Sequence, residues 1–129
     1  MEVYEVRILL LEDEEIIKTY FETLLKSFEE VTEITATTSG EQALALAAAF
    51  QPDLAMLDFE LRGQKRNGLQ IGAEIKKLDK NIFCILISGY PGEYFAAQAA
   101  QPDAFILKPV GRKELKNLVA GFAARVNAV

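Results

Sequence analysis

The chain has 129 residues, half of them apolar, and a formal net charge of −5, which is enough material for one domain with its own core. The one cysteine excludes an intrachain disulfide, and the lack of histidine excludes zinc sites of the usual ligand types and triads with a histidine base. The longest uncharged apolar run, Ala43 to Phe50, is too short to cross a bilayer, and the opening residues are acidic where a signal peptide is basic. A cytoplasmic chain that neither enters the membrane nor touches nucleic acid directly is therefore expected, the acidic balance offering no basic face for phosphates.

In chain order, five β-branched or leucine-rich runs alternate with segments of helical spacing. The runs are Val6 to Leu11, Thr32 to Thr37, Asp53 to Asp58, Ile82 to Ser88 and Ala104 to Leu107. After the first run, Ile16, Ile17, Tyr20, Phe21, Leu24, Leu25 and Phe28 share one helical face. After the second, Ser39 with Gln42 three residues later predicts a capping box. The fourth helix is expected between Pro91 and Pro102, stopping before Gln101 because proline cannot continue it. The last carries Leu115, Leu118, Val119, Phe122 and Val126. Runs such as Ile8 to Leu11 and Phe83 to Ile87 are apolar on both faces, as in parallel strands covered on both sides. Cys84 lies within one of them and reads as a small buried hydrophobe. The expectation is one α/β domain over residues 1–129, with a parallel sheet and its site at the carboxyl ends of the strands.

Those ends carry chemistry. The first strand closes on Glu12-Asp13-Glu14-Glu15, the third on Asp58, the fourth on Ser88 and the fifth on Lys108. Neighbouring strands would bring several carboxylates together, which repel unless a cation lies among them. Only oxygen ligands are offered, which suits Mg²⁺. Asp58 could then act as a nucleophile toward phosphorus, with Lys108 and Ser88 stabilising charge on the transferred oxygens. Each residue alone has a plainer explanation: Glu14 and Glu15 suit the first turn of a helix, and Asp58 or Ser88-Gly89 could simply end a strand.

Together, Ile8 to Glu14, Pro52 to Asp58, Ile85 to Gly89 and Phe105 to Pro109 resemble the response-regulator receivers of two-component signalling, of the chemotaxis-regulator type. The resemblance implies a flavodoxin-like, doubly wound sheet of order 2-1-3-4-5 with five helices. It implies Asp58 as phosphoacceptor, and Glu12, Asp13, Asp58 and the backbone carbonyl of Glu60 as Mg²⁺ ligands. Ser88 and Lys108 would contact phosphoryl oxygens, Ser88 and Phe105 would form the switch, and the Lys108–Pro109 bond would be cis. The partners implied are a sensor histidine kinase or phosphotransfer protein, a downstream protein target, and a second copy in a phosphorylation-dependent homodimer. The output face would combine the fourth helix, the fifth strand and the fifth helix. Catalysis would be limited to the protein's own phosphorylation and slow self-dephosphorylation.

Several features depart from the family pattern. The loop from Phe59 to Gly68 is long, lacks the customary proline, and carries Arg62, Lys65 and Arg66 beside the acidic pocket. Glu60 and Tyr90 flank the route of a hydrolytic water, where their bulk would slow dephosphorylation. Tyr90, Tyr94 and Phe95 are candidates for an aromatic docking patch. Phe105 lacks the hydroxyl of a tyrosine, so any switching must rest on packing. An aspartyl-phosphate phosphohydrolase would need a second aspartate at position 60, which is Glu60. A flavin carrier would need a phosphate-binding loop where Glu12 to Glu15 would repel the phosphate. A pseudo-receiver that only binds proteins would lack an acid, hydroxyl or lysine, and none is missing. The sequence ends where the last helix should finish, which fits a stand-alone receiver or one cut from a longer regulator.

Overall fold

A computed structural model describes residues 5–93 and 102–126, with the side chain of Val126 excepted. Five strands, β1 (Val6–Leu11), β2 (Val31–Thr37), β3 (Leu54–Asp58), β4 (Phe83–Ser88) and β5 (Ala104–Leu107), form one sheet. Every pairing is parallel and the order is β2-β1-β3-β4-β5, as expected. Four helices are present among the described residues: α1 (Glu15–Lys26), α2 (Gly40–Phe50), α3 (Gly68–Leu78) and α4 (Arg112–Val126). The helix expected between Pro91 and Pro102, and with it Tyr94 and Phe95, falls almost wholly outside the described residues.

Alternation along each strand divides the core into two layers. Ile8, Leu10, Met56, Ile85 and Ile87 face one way and bury Phe21 and Leu25 of α1 with Leu115, Val119 and Phe122 of α4. Leu9, Leu11, Ala55, Leu57, Cys84 and Leu86 face the other way, against Ala43 and Ala47 of α2 and Ile71 and Ile75 of α3. All residues of β3 are buried, which explains why that strand reads as a continuous apolar run rather than an alternating one. The edge strand β2 has only Thr37 fully buried.

The apolar face of α1 is narrower than its sequence suggests. Phe21, Leu25 and Phe28 are buried and Ile17 and Leu24 pack partly on the core, but Ile16 is 84% exposed and Tyr20 51%. One turn apart, these two lie on the flank of the helix beyond the reach of the sheet. The Ser39 cap is real, since its hydroxyl accepts from the Gln42 amide at 3.1 Å. The reciprocal half of the box is missing, because the Gln42 side chain accepts from the Thr37 hydroxyl instead. A complete box forms at α3, where Asn67 Oδ1 accepts from Gln70 N and Gln70 Oε1 accepts from Asn67 N, both at 2.9 Å. The spacing Asn67-x-x-Gln70 carried that signal in the sequence.

Candidate functional site

The parallel ladder extends one bond beyond the ends of three strands, and each extension fixes part of the site. Glu12 N–H donates to Thr37 O at 3.1 Å, Phe59 N–H to Ile87 O at 2.8 Å, and Lys108 N–H to Ser88 O at 2.7 Å. The Lys108–Pro109 bond is cis. These tethers bring residues far apart in sequence to one edge of the sheet.

Glu12, Asp13 and Asp58 each offer a carboxylate oxygen within 4.8 Å of the others. Glu12 and Asp58 are buried and Asp13 is half-buried. The ammonium of Lys108 reaches both buried acids, 3.3 Å from Asp58 Oδ1 and 3.5 Å from Glu12 Oε2. Asp13, Glu14, Asp58, Glu60, Arg62, Gly89, Tyr90 and Lys108 line a cleft of about 260 Å³. Of the residues singled out from sequence, Asp13, Glu14, Asp58, Glu60, Arg62, Tyr90 and Lys108 thus meet in the cleft, and Glu12 joins them through its contact with Lys108. Ser88 does not line it. Its hydroxyl, fully buried, donates to the Glu93 carboxylate and accepts from Tyr90 N–H at 3.0 Å. Phe105 is partly buried against the α2/α3 layer of the core.

The electrostatics follow from one lysine serving two buried acids. Burial, followed by the charge of Glu12, pushes Asp58 up from an ordinary 3.8 to about 8. Burial also raises Glu12, which Lys108 only partly offsets. For Lys108 burial is the largest influence and lowers it, but the charges of Asp58 and Glu12 together raise it on balance. The pocket is thus short of positive charge. Glu12 Oε1 is buried and has no hydrogen-bond donor among the described residues, a costly arrangement if left so. Three converging carboxylates, an unsatisfied buried oxygen and an all-oxygen donor set fit a hard divalent cation such as Mg²⁺.

The loop between β3 and α3 also shapes the site, in part through Gln64 and Gly68, which pattern reading did not single out. Arg62 N–H donates to Asp13 Oδ2 at 2.9 Å. Gln64 pins the loop to the start of α2, its amide donating to Thr38 O at 2.8 Å and its carbonyl accepting from Gly40 N at 2.7 Å. Arg66 pairs with Glu41 at 3.7 Å rather than with the acidic cleft. Gly68 lies so close to the phosphoacceptor candidate that a Cβ there would stand 1.9 Å from the carbonyl oxygen of Asp58. A glycine after a loop is a weak signal in a single sequence, and only the close approach explains this one.

Residues 8–120 match the model of the response regulator receiver domain. The chain belongs to the response-regulator receiver family. Among curated relatives, this receiver is 27% identical over 110 residues to the nitrate/nitrite response regulator protein NarL of Escherichia coli K12, covering 84% of this chain and 50% of that protein. It is 23% identical over 116 residues to the response regulator protein VraR of Staphylococcus aureus strain Mu3, covering 88% and 54%. The chain therefore spans about half the length of the curated relatives it matches. A crystal structure of a DNA-binding response regulator of the LuxR family from Staphylococcus aureus superposes with a TM-score of 0.81 at 27% identity, covering 92% of this chain and 98% of that one. A receiver domain protein from Clostridium thermocellum gives 0.84 at 21% identity, over 95% and 98% of the two chains, a likeness of fold. No helix among the described residues is long and apolar enough to cross a membrane.

Proposed function

We propose that this receiver accepts a phosphoryl group on Asp58 from a phosphohistidine of a sensor kinase or phosphotransfer protein, and that the modification alters a protein-binding face. The observation that carries the reading is the cleft itself, with Lys108 Nζ 3.3 Å from Asp58 Oδ1 and two more carboxylates beside it. A carboxylate oxygen of Asp58 forms the bond to phosphorus as the phosphorus–nitrogen bond of the donor breaks, its electron pair leaving with the imidazole. Glu12, Asp13 and Asp58, with the backbone carbonyl of Glu60, would hold Mg²⁺, which when bound neutralises charge on the phosphoryl oxygens. Lys108 exchanges its contact with the free carboxylate for one with a phosphoryl oxygen, and Ser88 donates its hydroxyl to another. Glu60 and Tyr90 line the cleft and restrict the approach of water to phosphorus.

The downstream effect would pass through Ser88 and Phe105 to the face made by β5, α4 and the segment between Pro91 and Pro102. Phe105 has no side-chain hydroxyl to form a new hydrogen bond, so the change is one of packing. The whole of 1–129 is taken as one receiver domain whose catalysis is limited to its own phosphorylation and dephosphorylation. A downstream protein, or a second copy bound through the same face, receives the signal. The acidic net charge of −5 speaks against direct contact of these residues with nucleic acid. The test is intact-mass spectrometry after incubation with Mg²⁺ and acetyl phosphate. One added phosphoryl group on the wild type and none on Asp58→Ala is expected; no adduct on either would reduce the protein to a binding module.

A further inference from the structure

We propose that Glu93 is a latch that holds Ser88 away from the phosphorylation site, so that the Glu93 and phosphoryl contacts of this hydroxyl exclude one another. The inference rests on Asp58 being the phosphoacceptor. Ser88 is fully buried at the end of β4, yet it is absent from the lining of the cleft that contains Asp58 and Lys108. Its oxygen accepts from Tyr90 N–H at 3.0 Å. Its hydrogen has two acceptors within reach, the Glu93 carboxylate and Tyr90 O at 3.2 Å. A charged carboxylate is the stronger of the two.

A serine hydroxyl has one hydrogen. While Glu93 holds it, a phosphoryl oxygen on Asp58 cannot. A phosphoryl dianion and Glu93 also repel each other in a partly buried setting. The two arrangements are therefore alternatives, and a phosphoryl group shifts the population toward the one in which Glu93 is released. Glu93 is also tied by its backbone, with its N–H donating to Tyr90 O at 3.1 Å. Ser88, Tyr90 and Glu93 thus form one small closed network, and withdrawal of the Ser88 hydroxyl frees the carboxylate that leads into the segment before Pro102. A glutamate five residues after the strand-end hydroxyl thereby acts as a positioning residue for Ser88.

The test compares the initial rate of phosphoryl uptake from acetyl phosphate with Mg²⁺, read by intact mass, in wild type, Glu93→Ala, Glu93→Gln, Ser88→Ala and the Ser88→Ala/Glu93→Ala double variant. Loss of the competing acceptor should accelerate Glu93→Ala by about threefold to tenfold, the factor that one net hydrogen bond represents. Glu93→Gln, which keeps an acceptor without the charge, should fall between. The acceleration should vanish when Ser88 is already alanine, which a general loosening of the fold would not produce. Equal rates for wild type and Glu93→Ala, or an acceleration undiminished in the Ser88→Ala background, would overturn the latch while leaving Asp58 chemistry intact. No uptake by any variant would overturn the Asp58 reading and the latch with it.

Discussion

At the scale of single residues, the site is governed by one lysine placed between two buried acids. Lys108 serves both Asp58 and Glu12, so removing it should harm the transfer more than the fold. Lys108→Ala should slow phosphoryl uptake by on the order of 100-fold, as loss of one preorganised cationic donor does elsewhere. The melting temperature should also fall by a few degrees, since the buried acids Asp58 and Glu12 lose their shared cation, and uptake by mass spectrometry with a parallel melting curve checks both halves. The raised value of Asp58 makes a second prediction. Between its ordinary 3.8 and its folded value of about 8, the folded chain keeps a proton that the unfolded chain has lost. Stability contributed by this group therefore falls as pH rises through that window. In a metal chelator the protein should melt lower at pH 8 than at pH 6 by about 5 °C. Mg²⁺ should raise the melting temperature more at pH 8, where its ligands are deprotonated. Asp58→Asn should remove most of the difference; an undiminished pH dependence in that variant would assign the proton elsewhere.

At the scale of elements, the turn from β3 to α3 decides how Asp58 is presented. Gly68 N–H donates to Phe59 O at 2.7 Å, folding the end of the loop back onto the strand it left. With a Cβ at Gly68 the nearest atom would be the Asp58 carbonyl oxygen, which belongs to backbone and cannot swing away. Gly68→Ala should therefore cost about 2–4 kcal/mol of stability and weaken Mg²⁺ binding, because the peptide of a proposed ligand must shift. Urea unfolding and Mg²⁺ titration would test the two effects separately. The same loop is held by Gln64 at its middle and by the Asn67–Gln70 box at its end. Gln64→Ala loses two hydrogen bonds, so the loop should become more open to proteolysis and to amide exchange, while strand amides remain protected. The length of this loop stood out in the sequence. That a glutamine fastens its middle did not, because Arg62, Lys65 and Arg66 offered the more conspicuous chemistry.

At the scale of the whole molecule, two core layers share one sheet, so a change in a central strand weakens one layer without emptying the other. Met56 is fully buried on the α1/α4 side. Met56→Ala should destabilise by about 2–5 kcal/mol, with a lower urea midpoint and an unchanged slope. Cys84, on the opposite side, has its thiol pushed up to about 12, chiefly by burial. It belongs to the packing and not to any redox chemistry.

The sequence by itself determined the alternation of strands and helices, the parallel sheet and the strand ends where the chemistry gathers. It could do so because these depend on local signals: doubly apolar runs between turns, helical spacing, and acids, a hydroxyl and a lysine in a familiar order. The strand starts differ from the sequence reading by a single residue in β2, β3 and β4, where flanking backbone bonds such as Asp53 N–H to Arg7 O continue the ladder. The tertiary structure alone decided which of these groups meet. It exposed Ile16 and Tyr20, because helical spacing describes a stripe but not how much of it the sheet can cover. It brought Lys108 to Glu12 across 96 positions, demanded a glycine where α3 begins, and turned Ser88 toward Glu93 rather than Asp58. Each of these is a contact between distant backbones or a choice between competing hydrogen-bond partners, and such contacts leave no period or spacing in the chain.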